Sequence, residues 1–165
     1  MRWYVLQVMT GEEETVKKRI VRDIYGVNAL VPKQAIMERH QGVWKEVTRV
    51  LFPSYVFVQM TMDEKSYYTL KDLPYVLSFL GSKGPEPVPD NQMSTVMWLC
   101  SDDEVIGIST IEVGQDIKVI SGPLKGMYGQ IIKLNKRKRR ARVRITLFQV
   151  EKEIDLGIEF IQASE

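Results

Sequence analysis

Cysteine and histidine are nearly missing from this 165-residue chain, which holds one of each, Cys100 and His40. A single cysteine excludes an intramolecular disulfide framework, and one cysteine with one histidine excludes a zinc site of the usual Cys/His kind. Nothing therefore argues for an oxidising compartment. Long apolar runs are missing too. The longest stretch without charge is thirteen residues, 50–62, and it contains Pro53, where ~20 apolar residues are needed to cross a bilayer. The apolar start after Arg2 runs into Thr10-Gly11-Glu12-Glu13-Glu14 instead of a small-residue cleavage site. The sequence also lacks a P-loop, a dinucleotide fingerprint and any metal-ligand spacing. His40 lies in a polar hairpin stretch, Cys100 falls on the apolar stripe of a helix, and Asp102-Asp103-Glu104 solvates a linker. The expectation is a cytoplasmic non-enzyme with no membrane association, metal or cofactor.

What the chain does hold is ordinary in amount and uneven in placement. With 44% hydrophobic and 27% charged residues it matches globular usage, which excludes gross disorder. The net charge of +2 conceals a split: residues 1–105 carry 12 Lys/Arg against 14 Asp/Glu, net −2, and residues 106–165 carry 11 against 7, net +4. The length suits one mid-sized domain or two small ones, and the change of sign points to two modules with different partners.

Residues 3–9 are apolar, β-branched and aromatic, long enough for one buried strand and too short for a helix. Thr10 stands three residues before Glu13, the spacing of a capping box. Behind it Glu12, Glu13 and Glu14 precede Lys17, Lys18, Arg19 and Arg22, the order a helix dipole favours, and Gly26 can close the helix. Val16, Ile20 and Ile24 form its buried stripe. Gln41-Gly42 marks a turn between two arms. After Pro53, Tyr55-Val56-Phe57-Val58-Gln59-Met60 reads as a central strand, with the proline at its mouth because it cannot donate to a ladder. Asp63 caps a short helix ending near Leu73-Pro74, residues 76–80 form another strand, and Asp90 caps a helix with the stripe Met93, Val96, Met97 and Cys100. This order predicts an α+β fold, a mostly antiparallel sheet with flanking helices. The pattern breaks near Ser101-Asp102-Asp103-Glu104. The expected boundaries are a first domain over 1–100, a linker over 101–111, and a barrel of about five short strands over 112–165.

In the second module Gly114, Gly122, Gly126 and Gly129 punctuate two strands, with Ile117, Val119 and Ile131 at alternating core positions. Glycine there lets a tight turn fold back or two strands approach closely. The spacing resembles the KOW motif, which implies a small SH3-like barrel. Residues 133–144 then hold eight bases and no acid: Lys133, Lys136, Arg137, Lys138, Arg139, Arg140, Arg142 and Arg144. Asn135 and its neighbours form the hairpin loop. From Arg140 the alternation is strict, with Ala141, Val143, Ile145 and Leu147 inward and Arg140, Arg142, Arg144 and Thr146 outward. Three guanidiniums ~7 Å apart on one face make a phosphate track. The competing reading is a solvated hairpin whose arginines pair with Glu151, Glu153 and Asp155 on the next strand. The density of bases favours nucleic acid. Tyr128 and Phe148 are the nearby aromatics from which base selectivity would come.

With this tail, the N-terminal half becomes recognisable. Arg2-Trp3-Tyr4-Val5-Leu6-Gln7, the Glu-rich helix, Leu51-Phe52-Pro53-Ser54-Tyr55-Val56-Phe57-Val58 and Leu80-Gly81 resemble, in order and over nearly the whole chain, the NusG family of transcription elongation factors. The resemblance implies an N-terminal (NGN) domain that docks on the clamp helices of RNA polymerase. Its apolar patch would comprise Trp3, Tyr4, Phe52, Tyr55 and Phe57, with Phe79 near the edge. Ser66, Tyr67, Tyr68 and Thr69 would lie where relatives approach the other wall of the cleft and the non-template DNA. Phe148 takes the place of a hairpin phenylalanine in relatives whose KOW domain binds the termination factor Rho or a ribosomal protein. Two departures stand out: Ser54 replaces the family's glycine, and Gln149-Val150-Glu151 replaces a Gly-Arg-rich sequence. Together with the arginine-lined hairpin they resemble the specialised LoaP antiterminators, whose KOW domain reads a hairpin in a nascent leader. The expectation is a monomeric antitermination factor that holds polymerase with one module and nascent RNA with the other. The alternative is a general elongation factor whose KOW domain binds Rho or a ribosomal protein instead.

Overall fold

The computed structural model describes residues 1–100, 104–114, 117–148 and 150–162, with the backbone alone for Tyr128. Along the chain β1 (Arg2–Val8) leads into α1 (Glu13–Asp23), β2 (Asn28–Leu30), β3 (Lys33–His40), β4 (Val43–Val50), β5 (Tyr55–Met60), α2 (Glu64–Lys71), β6 (Val76–Phe79) and α3 (Asp90–Cys100). There follow β7 (Val105–Ile106), β8 (Ser109–Val113), β9 (Ile117–Ser121), a single 3-10 turn (Tyr128–Gln130), β10 (Ile131–Asn135), β11 (Arg140–Leu147) and β12 (Val150–Gln162). The chain thus adopts the α+β class expected of it. No helix among the described residues is long and apolar enough to cross a membrane. Two compact units emerge: Met1–Val31 with Phe52–Met93, and Pro32–Leu51 with the chain from Ser94 onward.

The first unit is built on an antiparallel sheet in the order β2-β5-β1-β6. Directly opposed residues of antiparallel strands share a face. Tyr4 opposes Val58 and Leu6 opposes Val56. With Val8 and Met60 they make one continuous apolar face that is closed to solvent. Burying such a surface stabilises by roughly 25 cal/mol per Å². The opposite face carries Val5 and Phe57, both fully buried, between half-buried Trp3, Gln7, Tyr55 and Gln59. Val16 and Ile20 of α1 and Leu70 of α2 are buried as well.

The start of α1 differs from the expected capping box. Glu13 is buried, and its carboxylate accepts hydrogen bonds from the backbone N–H of Gly11 at 3.0 Å and of Ser54 at 2.8 Å. Thr10 and Ser54 join through their hydroxyls. The acid therefore fastens the helix to the turn that feeds β5, a contact 41 residues away that no local spacing announces. Ser54 holds φ +73°, a left-handed conformation that glycine adopts freely and other residues seldom do. Burial alone would raise the Glu13 pKa, but the N–H groups of Ser54 and Gly11 outweigh it and hold the pKa below its ordinary value. A depressed folded pKa contributes stability above the unfolded value near 4.5 that disappears as pH falls through the folded value. Glu13→Gln is expected to cost about 1–3 kcal/mol at neutral pH. It should also shrink the loss of stability that the parent shows below about pH 4.5, as read by urea melts across pH.

In α2 the expected cap forms, with Asp63 accepting from the Ser66 N–H at 2.7 Å. The buried stripe of α3 comprises Met93, Val96, Leu99 and Cys100, and Met97 is exposed. At about 100° per residue, Leu99 lies about 60° to one side of Val96 and Met97 about 100° to the other, so the buried face is turned towards Leu99. Burial, reinforced by the nearby charge of Glu104, pushes the Cys100 thiol up to about 11, so at neutral pH it stays protonated and unreactive.

The second unit contains a sheet in the order β10-β11-β12-β8-β9 and a smaller one in the order β4-β3-β7. The long β12 runs antiparallel to β11 as far as Gly157 and parallel to β8 from Ile158 onward. Ile111, Val119, Leu124, Met127, Val143, Ile145, Leu147, Leu156 and Ile158 form its core. Of the alternating positions expected in the glycine-punctuated stretch, only Val119 is buried; Ile117 is exposed and Ile131 half-buried. Both lie on edge strands, β9 and β10, whose registers slip. The segment 101–111, expected as a linker, carries β7 and most of β8, while Ser101, Asp102 and Asp103 lie outside the described residues, as do Gln115, Asp116 and Gln149. Among the described residues of this unit, two glycines are sterically required. Gly122 has φ +98°, and a Cβ there would meet Ser109 Cα at 2.5 Å. At Gly157 a Cβ would stand 2.4 Å from the Ala35 carbonyl oxygen, because β12 crosses β3 in close contact.

Candidate nucleic-acid and partner surfaces

The aromatic side chains expected on the polymerase-facing patch divide by burial. Tyr4, Phe52, Phe57 and Phe79 are buried and pack on one another or on α2. Tyr4 meets Phe79 edge-on at 6.4 Å between ring centres, and Phe52 meets Phe57 at 5.7 Å. Trp3 and Tyr55 are half-buried on the second face of the sheet. They alone of the six are not fully buried.

Ser66, Tyr67, Tyr68 and Thr69 all lie on α2 and turn in different directions, as consecutive helical residues must. Tyr67 stacks on Phe79 at 5.5 Å and has the Lys71 ammonium 5.3 Å from its ring centre. Thr69 donates its hydroxyl to the Lys65 carbonyl at 2.7 Å. Tyr68 is the large exposed side chain of the group.

In the second unit, Arg140, Arg142 and Arg144 do point to one side of β11, and Ala141, Val143, Ile145 and Leu147 fill the other. Pairing with β12 then sets Arg142 opposite Asp155 and Arg144 opposite Glu153. Arg142 donates to both Asp155 carboxylate oxygens, at 3.0 and 3.4 Å, with Glu153 at 3.8 Å. Arg144 lies 3.6 Å from Glu151 and 3.7 Å from Glu153. Two arginines thus meet three carboxylates. This part of the expected phosphate track is a cross-strand ladder of ion pairs with little positive field of its own.

Positive charge without a counter-ion sits elsewhere, at the loop between β10 and β11 and at the β3–β4 hairpin, both in the second unit. Asn135 accepts from the Lys138 N–H at 3.0 Å and shapes the loop, and Arg139 turns it with φ +56°. The Arg139 guanidinium lies 4.2 Å from the centre of the Trp44 ring, and the Lys136 ammonium 5.9 Å from that of Phe160. Arg140 Nη1 donates to the carbonyls of Met37 at 2.6 Å and Lys138 at 2.8 Å, tying hairpin to loop. Carbonyls leave its charge uncompensated. Lys133, Arg137 and Lys138 are exposed, and among the described residues none of them pairs with a carboxylate. A recess of about 410 Å³ opens here, lined by Met37, Glu38, Arg39, His40, Trp44, Arg137, Lys138 and Arg140. Its one acid, Glu38, is engaged by Arg49 at 3.0 Å and His40 at 3.1 Å. Those partners hold the Glu38 pKa below its ordinary value.

Phe148 is half-buried with φ +52° in the turn joining β11 to β12, and the Tyr128 side chain lies outside what is described. Arg39 and Trp44 were not singled out from the sequence. They stand more than ninety residues before the basic loop, and only the folded chain brings them to it.

A family model described as transcription termination factor nusG matches residues 1–97, and a KOW motif model matches residues 113–148. The transcription termination/antitermination protein NusG of Pseudomonas aeruginosa is 28% identical over 176 residues, spanning 99% of this chain and 98% of its own. That of Escherichia coli K12 is 27% identical over 173 residues, spanning 98% and 95%. A solved structure, described as domain interaction in Thermotoga maritima NusG, is similar at a TM-score of 0.59 with 28% identity over 94% of this chain and 93% of that one.

Proposed function

The chain belongs to the NusG family of transcription termination and antitermination factors, and from that membership we propose that it docks on RNA polymerase with its first unit and holds nascent RNA with its second. Trp3 and Tyr55 are the anchors of the first contact, on the clamp helices: rigid rings with solvent-facing area on an otherwise packed sheet suit a groove between helices. Tyr68 and Thr69 face the other wall of the cleft and the non-template strand. The observation that carries the RNA contact is the crowding of eight bases into residues 133–144, with the uncompensated ones gathered at one loop. Clustered, unpaired Lys and Arg on one face are the electrostatic footprint of nucleic acid. Restricting that contact to a leader hairpin, as in the LoaP group, makes the protein a specialised antiterminator acting as a monomer.

A second reading, the general elongation factor, draws support from the pairing of Arg142 and Arg144 with Glu151, Glu153 and Asp155. On that reading the strand face only solvates the barrel, and Phe148 marks the contact with Rho or a ribosomal protein. Capture of the tagged protein from growing cells, with sequencing of the RNA that accompanies polymerase, separates the two. Enrichment of a few leaders is the expected result. Even occupancy across transcripts would favour the general factor, and failure to recover polymerase would overturn both.

A further inference from the structure

We infer that the recess between the β3–β4 hairpin and the β10–β11 loop is the RNA-holding site itself, seating an unpaired nucleotide with its base against Trp44 and its flanking phosphates on Arg137, Lys138 and Arg39. This rests on the RNA reading above and moves the contact off the strand face where the sequence had placed it. Three observations carry it. The first is charge. Electrostatic affinity for nucleic acid comes from releasing counter-ions condensed on phosphates, and only cations free to replace them contribute fully. Arg142 and Arg144 already pair with carboxylates, whereas among the described residues Arg39, Arg137 and Lys138 form no ion pair, and Arg140 Nη1 bonds carbonyl oxygens.

The second observation is aromatic. Trp44 is the larger of the two rings that line the recess, beside His40, and the Arg139 guanidinium lies 4.2 Å from its centre. An indole fixed beside cations is the platform on which unpaired bases stack, with selectivity for unstacked loops over duplex. The third is shape. The recess is an open groove of about 410 Å³, a shape that admits an extended strand from the side. A smaller recess of about 150 Å³, lined by Lys133, Asn135, Lys138, Arg140, Arg142 and Asp155, shares Lys138 and Arg140 with the first. In that smaller recess Arg142 and Asp155 already pair with each other at 3.0 Å, which leaves the larger recess as the site. Arg140 is a positioning residue in this scheme: it bolts the Met37 backbone to the loop and so sets the width of the recess.

The test uses the full chain and a fluorescein-labelled RNA hairpin with a single-stranded loop, followed by anisotropy at several salt concentrations. The paired substitution R137Q/K138Q is expected to weaken binding at least tenfold and to lower the salt slope by about two. Trp44→Ala should weaken it about fivefold or more, and Trp44→Phe, which keeps a ring, should recover most of the loss and controls for folding. R142Q/R144Q should change affinity less than about twofold, since those charges are already paired. A blunt duplex DNA and a poly-aspartate peptide should bind at least tenfold more weakly than the loop RNA. Should the R142Q/R144Q variant lose as much as R137Q/K138Q, or Trp44→Ala lose nothing, the recess is not the site although RNA binding stands. Equal binding of poly-aspartate would reduce the recess to a general anion attractor. Absence of RNA binding by the parent, with polymerase still recovered, would overturn the RNA reading itself.

Discussion

Alanine at position 157 is expected to destabilise the second unit by about 1–3 kcal/mol, the usual cost of forcing extra volume into a packed contact. The added methyl would sit 2.4 Å from the Ala35 carbonyl oxygen and 3.0 Å from Ile36 Cα. Both obstacles are backbone, so no side-chain rotation relieves them. Relief requires β12 to move off β3. The same strand carries the switch from antiparallel pairing with β11 to parallel pairing with β8 at this point. A shift there disturbs two ladders at once. Gly129→Ala is the internal control, because its Cβ would meet nothing within 4 Å and its effect should stay within about 0.5 kcal/mol. Urea unfolding monitored by circular dichroism reads both. Equal midpoints for the two variants would show that β12 and β3 do not touch as described.

The second large effect separates core from anchor on one sheet face. Phe57→Ala removes a fully buried ring from the centre of β5 and is expected to cost about 3–5 kcal/mol, enough to unfold the first unit near physiological temperature. Trp3→Ala with Tyr55→Ala removes half-buried rings from the rim of that face. The fold should survive, while affinity for RNA polymerase should fall about thirtyfold or more, as for loss of an interface hot spot. Thermal melts and polymerase binding by surface plasmon resonance, run on the same preparations, distinguish the outcomes. A double variant that melts like Phe57→Ala would make Trp3 and Tyr55 core residues. A double variant that keeps both stability and polymerase affinity would remove them from the docking face.

Local signals predicted what they control. The Asp63 cap, the Gln41-Gly42 turn, the β-forming run of β5 and the strict alternation of β11 each act over a few residues, and each is found where expected. The readings that fail are those settled by distant neighbours. Glu13 has the right spacing for a capping box, but its carboxylate accepts from the N–H groups of Gly11 and of the distant Ser54 instead. Ile117 and Ile131 have the right period, yet edge strands with slipped register leave them only partly covered. The 33–50 hairpin reads as part of the first module by order, yet it groups with the second unit, where Gly157 lets β12 cross it closely.

The candidate site follows the same rule. Its cations were legible as composition, and the possibility that Glu151, Glu153 and Asp155 match the β11 arginines was legible as cross-strand spacing. Which arginines remain uncompensated was not, since that depends on the β11–β12 register. Trp44 was invisible as a site residue because its partner, Arg139, is ninety-five residues away. The rings of the docking patch were legible only as lying on one of the two faces of the first unit's sheet. Burial then assigned Phe57 to the core and left Trp3 and Tyr55 at the rim.

At the proposed site uncompensated charge and a fixed indole, not the density of basic residues alone, decide where RNA sits. Photo-cross-linking of 4-thiouridine RNA to the full chain, with adducts mapped to single residues by mass spectrometry, tests it directly. Adducts at Trp44 and within residues 136–140 are the predicted result. Adducts confined to Arg142, Arg144 and the facing strand, with the hairpin unmarked, would contradict it.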